Sequence, residues 1–159
     1  LLKQVKLIES KKETNFIYSN LYIYNHKTKC KKLFFKYKMP SGKITQYLLD
    51  DYRLGIITVL MTKKIFDKKK FNKKFNIIGD FDFFINLSLE ENFYCIQEPL
   101  AFHRKHEKNY SKKINIFTNE LDNWSKINLK KFKKLNYSLK SFKFFFFKLK
   151  LKKLIGWGL

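Results

Sequence analysis

Apolar positions change their period several times along the chain, and each change predicts an element. Leu1, Leu2, Val5, Leu7 and Ile8 recur at helical spacing, so residues 1–10 read as the end of an amphipathic helix. Residues 15–24 (NFIYSNLYIY) are β-branched and aromatic and predict a strand. A turn at Asn25-His26-Lys27 leads to a second predicted strand over 29–37, and Met39-Pro40-Ser41-Gly42 is a loop signal. Ile44, Tyr47, Leu48 and Tyr52 return to helical spacing. Residues 55–61 (GIITVLM) are almost uniformly apolar, the pattern of a strand buried on both faces. A lysine-rich hinge is expected over 63–74, then Ile77-Ile78-Gly79-Asp80 leading into a helix that runs to about Glu91, whose inward face is Phe81, Phe84, Ile85 and Ser88, with Leu87 beside it. Residues 93–96 and 100–104 predict strands on either side of Glu98-Pro99, and 112–124 predicts a long amphipathic helix.

Composition adds a boundary. From Lys126 onward there are eleven lysines and no acid, interleaved with Leu, Phe and Ile. The expected organisation is therefore one α/β domain over 1–125 and a basic, aromatic-rich helical tail over 126–159. The hydrophobic share of 45% with only five Gly and two Pro is a folding composition.

Net charge is +22, from 35 basic and 13 acidic residues. That balance raises nucleic acid or an anionic membrane as a partner. Arg53 and Arg104 are the only arginines, and lysine is less suited to bidentate phosphate or guanine contacts. A nucleic-acid role is therefore not favoured, and no RNA- or DNA-binding module is visible. Cys30 and Cys95 form neither a CxxC pair nor a disulfide framework, so a reducing, cytoplasmic compartment is the default. No stretch approaches the roughly 20 uncharged apolar residues that span a bilayer.

The most informative stretch is residues 75–111, FNIIGDFDFFINLSLEENFYCIQEPLAFHRKHEKNYS. An apolar pair meets Gly79, two acids open a helix, a strand follows with Glu98-Pro99-Leu100-Ala101, and Arg104-x-His106 precedes Asn109-x-Ser111. This order resembles the C-terminal half of family 2 glycosyltransferases of the GT-A fold. Phe16-Ile-Tyr-Ser-Asn20, Met39-Pro-Ser-Gly-Lys-Ile44 with Leu48-Leu49, and Gly55-Ile-Ile-Thr58 resemble the same family, so the likeness covers about 1–124.

The resemblance implies a partial GT-A domain, Rossmann-like, without its N-terminal nucleotide-binding half. The first residues, Leu1-Leu2-Lys3 without an initiator Met, agree with a start further upstream. The intact enzyme would move a sugar, with inversion, from a nucleotide-sugar donor to a saccharide or lipid-linked acceptor in polysaccharide or lipopolysaccharide synthesis. The piece alone is expected to be inactive. Asp80 occupies the position of the family's catalytic base, which takes the acceptor's proton. An Asp opening a helix is also a good N-cap, and that remains the competing role.

Asp82 stands two positions on and does not share a helix face with Asp80, so the two are not read as a carboxylate pair. It would support the helix N-terminus or bind the acceptor. Asp80-Phe81-Asp82 is literally a D-x-D string, but the family's metal motif lies earlier, before the segment resembling residues 1–10. Glu98 is a second acceptor-side candidate, with a turn-forming role beside Pro99 as its alternative. Arg104 and His106 match positions near the metal and diphosphate, His106 as a metal ligand; a plain helix-capping loop is the alternative for both. Residues i and i+2 share a strand face, so both could point into one site. His103 and His106 at i,i+3 on a strand would face opposite ways, which argues against zinc. A divalent cation, Mg or Mn, is implied for the intact enzyme. Asn86-Leu87 stands where the family often has Arg-Leu.

The tail, with Phe142, Phe144 to Phe147, Leu149, Leu151, Leu154, Ile155 and Trp157 among its lysines, suits an anionic lipid surface. That would place the protein peripherally on the inner face of the cytoplasmic membrane. A helix packed on the domain with its lysines in water is the other reading. A basic module binding anionic membrane or nucleic acid without chemistry is the alternative for the whole chain.

Overall fold

The computed structural model describes residues 1–11, 13–105 and 113–155. The chain is mixed α/β and divides into two compact units. One comprises Leu1–Thr45, Arg53–Lys70 and Asn86–Glu107; the other comprises Gln46–Tyr52, Phe71–Ile85 and Lys108–Leu159.

The first unit is built on an open, mixed four-stranded sheet. Its central strand, β1 (Phe16–Asn25), is the predicted aromatic and β-branched run, and Phe16 to Leu21 are all buried. Along one edge β1 pairs in parallel with β4 (Tyr94–Lys105). The other edge is shared by β3 (Leu60–Met61), antiparallel at Phe16 and Ile17, and β2 (Lys31–Leu33), antiparallel at Tyr22 to Tyr24. Phe16 stacks on Phe93 with ring centroids 3.8 Å apart. Helix α1 (Leu2–Ser10) is tied in by Gln4, whose Nε2 donates to the Thr58 carbonyl at 2.7 Å.

Three expectations are corrected here. Residues 55–61 are not one buried strand. Ile56–Thr58 forms a 3₁₀ turn, only Leu60–Met61 enters the ladder, and Ile56 and Ile57 are exposed. Gly55 sits so close to β1 that a Cβ there would lie 2.5 Å from Leu21 Cδ2, and the chain turns immediately after it. The lysine-rich stretch 63–74 is not simply a hinge, since Lys63–Lys68 is helix α3, packed through the buried Ile65. The strands expected on either side of Glu98-Pro99 are one continuous strand.

That continuity depends on a bulge. Ser19 faces Ile96, but Asn20 faces Pro99 and Leu21 faces Ala101, so β4 carries extra residues at this point. A bulge is where a strand tolerates a proline that cannot donate to the ladder. Side chains here tie each strand to a flanking segment. The buried Asn20 donates from Nδ2 to the Phe35 carbonyl at 2.8 Å and accepts from the Leu21 N–H at 2.9 Å. Gln97 accepts from the Met39 N–H at 2.8 Å and donates to its carbonyl at 3.0 Å. The predicted loop 39–42 thereby covers an edge of the sheet, with Gly42 at φ 95°, a conformation that favours glycine.

The second unit is helical. Helix α2 (Thr45–Asp50) supplies Leu48 and Leu49, helix α4 (Gly79–Ser88) begins here, and α5 (Ile114–Lys134) and α6 (Lys140–Leu154) complete it. Trp124 is fully buried among Phe81, Phe132 and Phe142, with ring centroids 4.8, 5.8 and 5.2 Å away. Buried polar side chains on α5 bond back to their own helix, as Ser125 does to the Leu121 carbonyl at 2.6 Å and Asn128 to that of Trp124 at 3.1 Å. The compositional step after Ser125 falls inside α5, which runs ten residues past Trp124 without a break. Among the described residues no helix is long and apolar enough to cross a membrane.

Candidate active site

Asp80 is the second residue of α4, one position inside the helix rather than at its cap. The chain reaches it through a fixed approach. The buried Glu120 of α5 accepts the backbone N–H groups of Asn76, Ile77 and Ile78 at 2.8, 2.9 and 3.1 Å. Three donors ahead of a helix, which would otherwise be unpaired, are thus held by one carboxylate. The Asp82 N–H then closes the first turn onto the Ile78 carbonyl at 2.9 Å.

The Asp80 carboxylate is partly buried, and its Oδ1 accepts the Phe81 N–H at 2.8 Å. Burial pushes its proton affinity up from the ordinary aspartate value, and the Phe81 N–H and the Tyr52 hydroxyl pull only partly the other way. The Tyr52 hydroxyl is withdrawn from solvent and has no well-aligned hydrogen bond among the described residues, yet it lies within range of Asp80. Its own proton is held well above the usual tyrosine range, first by burial and then by the negative charge of Asp80. The Tyr52 ring meets Phe81 edge to face at 5.2 Å.

Asp80 and Tyr52 line a cavity of about 300 Å³ contained within the second unit. Its walls are mainly apolar: Leu48 and Leu49 from α2, Ile77 and Ile78 before α4, Phe117 and Leu121 from α5, and Phe142 and Phe145 from α6. Among the described residues three aspartates line it, Asp80 with the exposed Asp50 and Asp51, and no lysine or arginine does. In a chain of net charge +22 this is the reverse of the overall composition. The chemistry on offer is one carboxylate of raised basicity, one buried hydroxyl and apolar walls.

The other candidates are distributed differently. Asp82 uses its Oδ1 to accept the Trp124 indole N–H at 2.9 Å, so one of its oxygens ties α4 to α5. Glu98 and Arg104 both belong to the first unit and do not line the cavity. Glu98 is exposed at the β4 bulge and ion-paired with Lys3. Arg104 is exposed near the end of β4, opposite Tyr24. His106 lies outside the described residues, and so does its pairing with Arg104. Among the described residues no group of three or more His, Cys, Asp or Glu side chains is arranged to hold a metal ion.

Sequence reasoning did not single out Tyr52 or Glu120. Tyr52 carried only a helical-spacing signal, and it meets Asp80 across 28 positions of chain. Glu120 had one legible sign, an acid placed directly before the apolar Leu121 of an amphipathic helix. Cys30 and Cys95 are both free thiols, and burial raises that of Cys95 to about 11. No family model and no curated protein matches the chain.

Proposed function

We propose that the chain is the acceptor-side part of an inverting GT-A glycosyltransferase, with Asp80 as its general base. The observation that carries this reading is the partly buried Asp80 carboxylate, raised in basicity, in the wall of the 300 Å³ cavity. As the acceptor oxygen bonds to the anomeric carbon and the bond from that carbon to the diphosphate breaks, the hydroxyl proton passes to Asp80. A base of raised proton affinity is better matched to this task near neutral pH than an ordinary aspartate.

The lining favours a neutral, hydroxyl-bearing acceptor. Apolar walls suit the carbon face of a sugar or a lipid-linked group, while the three aspartates, with no basic side chain among the described lining residues, disfavour a phosphate. The donor diphosphate would therefore be held elsewhere in the intact enzyme.

The test is Asp80→Asn in the intact protein. Transfer from a nucleotide-sugar donor should fall by about 100- to 10,000-fold, the usual contribution of a positioned base. Undiminished transfer by a folded Asp80→Asn protein would sink the assignment. The second reading, a basic module without chemistry, is favoured by the lysine- and phenylalanine-rich α6; under it, this substitution leaves binding to an anionic partner unchanged.

A further inference from the structure

Helix α6 has two apolar faces. Phe142 and Leu149 are buried, and Phe142 packs on Trp124 and Phe81. On the opposite side Phe144, Phe147, Leu151 and Leu154 follow at steps of three, four and three, with Ile155 directly after the helix. These five are between 42% and 83% exposed. At 100° per residue they fall within one stripe about 16 Å long, turned away from Phe142 and Leu149.

The helix is fixed in this orientation. Lys150 bonds Asp122 at 3.0 Å and Lys153 bonds Asn119 at 3.2 Å, both on α5, so α6 is held by its polar positions as well as its buried ones. The outward stripe is flanked by Lys143, Lys148 and Lys152, all exposed. No acidic residue occurs from Lys126 onward.

We infer that this stripe is a docking surface for an anionic lipid bilayer, on which α6 lies parallel to the membrane plane. Exposed Phe and Leu side chains enter the boundary between headgroups and acyl chains. The flanking lysines reach sideways to lipid phosphates, their stems on the apolar surface and their ammonium groups in water. Lys148 already lies over the Phe144 ring at 4.2 Å, which keeps charge and aromatic side by side. A second copy of the chain is the weaker occupant. Pairing two stripes would bring lysine rows together with no acid on either helix to offset them. The inference does not rest on the transferase reading, since it needs neither Asp80 nor its cavity.

The experiment is flotation of the full chain with phosphatidylcholine vesicles, with and without one quarter phosphatidylglycerol, at 0.1 M NaCl. Binding should require the anionic lipid. The triple variant Phe144→Gln, Phe147→Gln, Leu151→Gln should weaken it by roughly 10-fold per side chain removed. Its thermal midpoint should stay unchanged, because all three side chains are exposed. The reversal Lys143→Glu, Lys148→Glu, Lys152→Glu should abolish binding at this salt. Undiminished binding by the glutamine variant would overturn the inference, leaving charge attraction alone. So would vesicle binding at background together with a dimer, by sedimentation, that the glutamine variant converts to monomer. Tighter binding to a single-stranded oligonucleotide than to the anionic vesicles would overturn it as well.

Discussion

The Asp80 carboxylate accepts the Phe81 N–H and sits in a mostly apolar wall, where burial outweighs its hydrogen bonds, so ionising it costs more in the folded chain than in the unfolded one. Its proton affinity is raised on folding. Its contribution to stability is therefore fully present below the ordinary aspartate value of 3.8 and is lost as pH rises through the folded value. Asp80→Asn keeps an oxygen for the Phe81 N–H and removes the charge. By thermal unfolding, the variant should melt no lower than the parent at pH 7.5, and any advantage should shrink towards zero as pH approaches 3.8. A clear loss of stability at pH 7.5 would mean that the charged form is held by interactions outweighing its burial. This residue was legible as a candidate because a Gly-Asp after two isoleucines marks a helix mouth. Tyr52 was not, since no local pattern announces a hydroxyl brought to a carboxylate by tertiary packing. Asp82 shows the same limit, because its indole partner lies 42 positions away.

At the scale of elements, periodicity worked where a segment has one exposed and one buried side. In α4, Phe81, Phe84, Ile85 and Ser88 are all buried at the positions that helical spacing assigns. Phe83 breaks the rule by being buried as well, because Phe71 from the preceding segment stacks on it at 4.4 Å. Periodicity failed where an element is set by its neighbours. Glu98-Pro99 reads as an interruption, yet β4 passes through it as a bulge, its parallel pairing with β1 resuming on the far side. In α6 two opposed apolar faces cancel, so the sequence pattern reads as hardly amphipathic although each face is well defined. The approach to α4 depends on Glu120 in the same non-local way. Glu120→Gln replaces one accepting oxygen by an NH₂ group facing backbone donors. It should destabilise the chain by about 1–3 kcal/mol, the cost of unpaired buried donors, read as a lower urea midpoint with an unchanged slope. A midpoint equal to the parent's would mean that these N–H groups find water as readily as the carboxylate.

For the whole molecule, charge governs two properties that respond to salt in opposite directions. With 35 basic and 13 acidic residues, the chain repels itself, and lysine side chains are crowded along α5 and α6. Local pairs offset little of this: Asp122 carries two lysines, Lys126 at 2.7 Å and Lys150 at 3.0 Å, and these hydrogen bonds hold its carboxyl below the usual range. That pairing supplies stability above the unfolded aspartate value and is lost as pH falls through the lowered one, the reverse of Asp80. Raising NaCl shortens the screening length from about 10 Å at 0.1 M to about 3 Å at 1 M, and so relaxes repulsion among the excess lysines. The thermal midpoint should therefore rise between 0.05 and 0.5 M NaCl, on the order of 3 °C for each kcal/mol of repulsion removed. The attraction of α6 to anionic vesicles should weaken over the same range, because the same screening acts on it. A midpoint that falls with salt would show that ion pairs such as those of Asp122 outweigh the repulsion. In that case the lysine excess would be organised within the fold rather than left facing a partner.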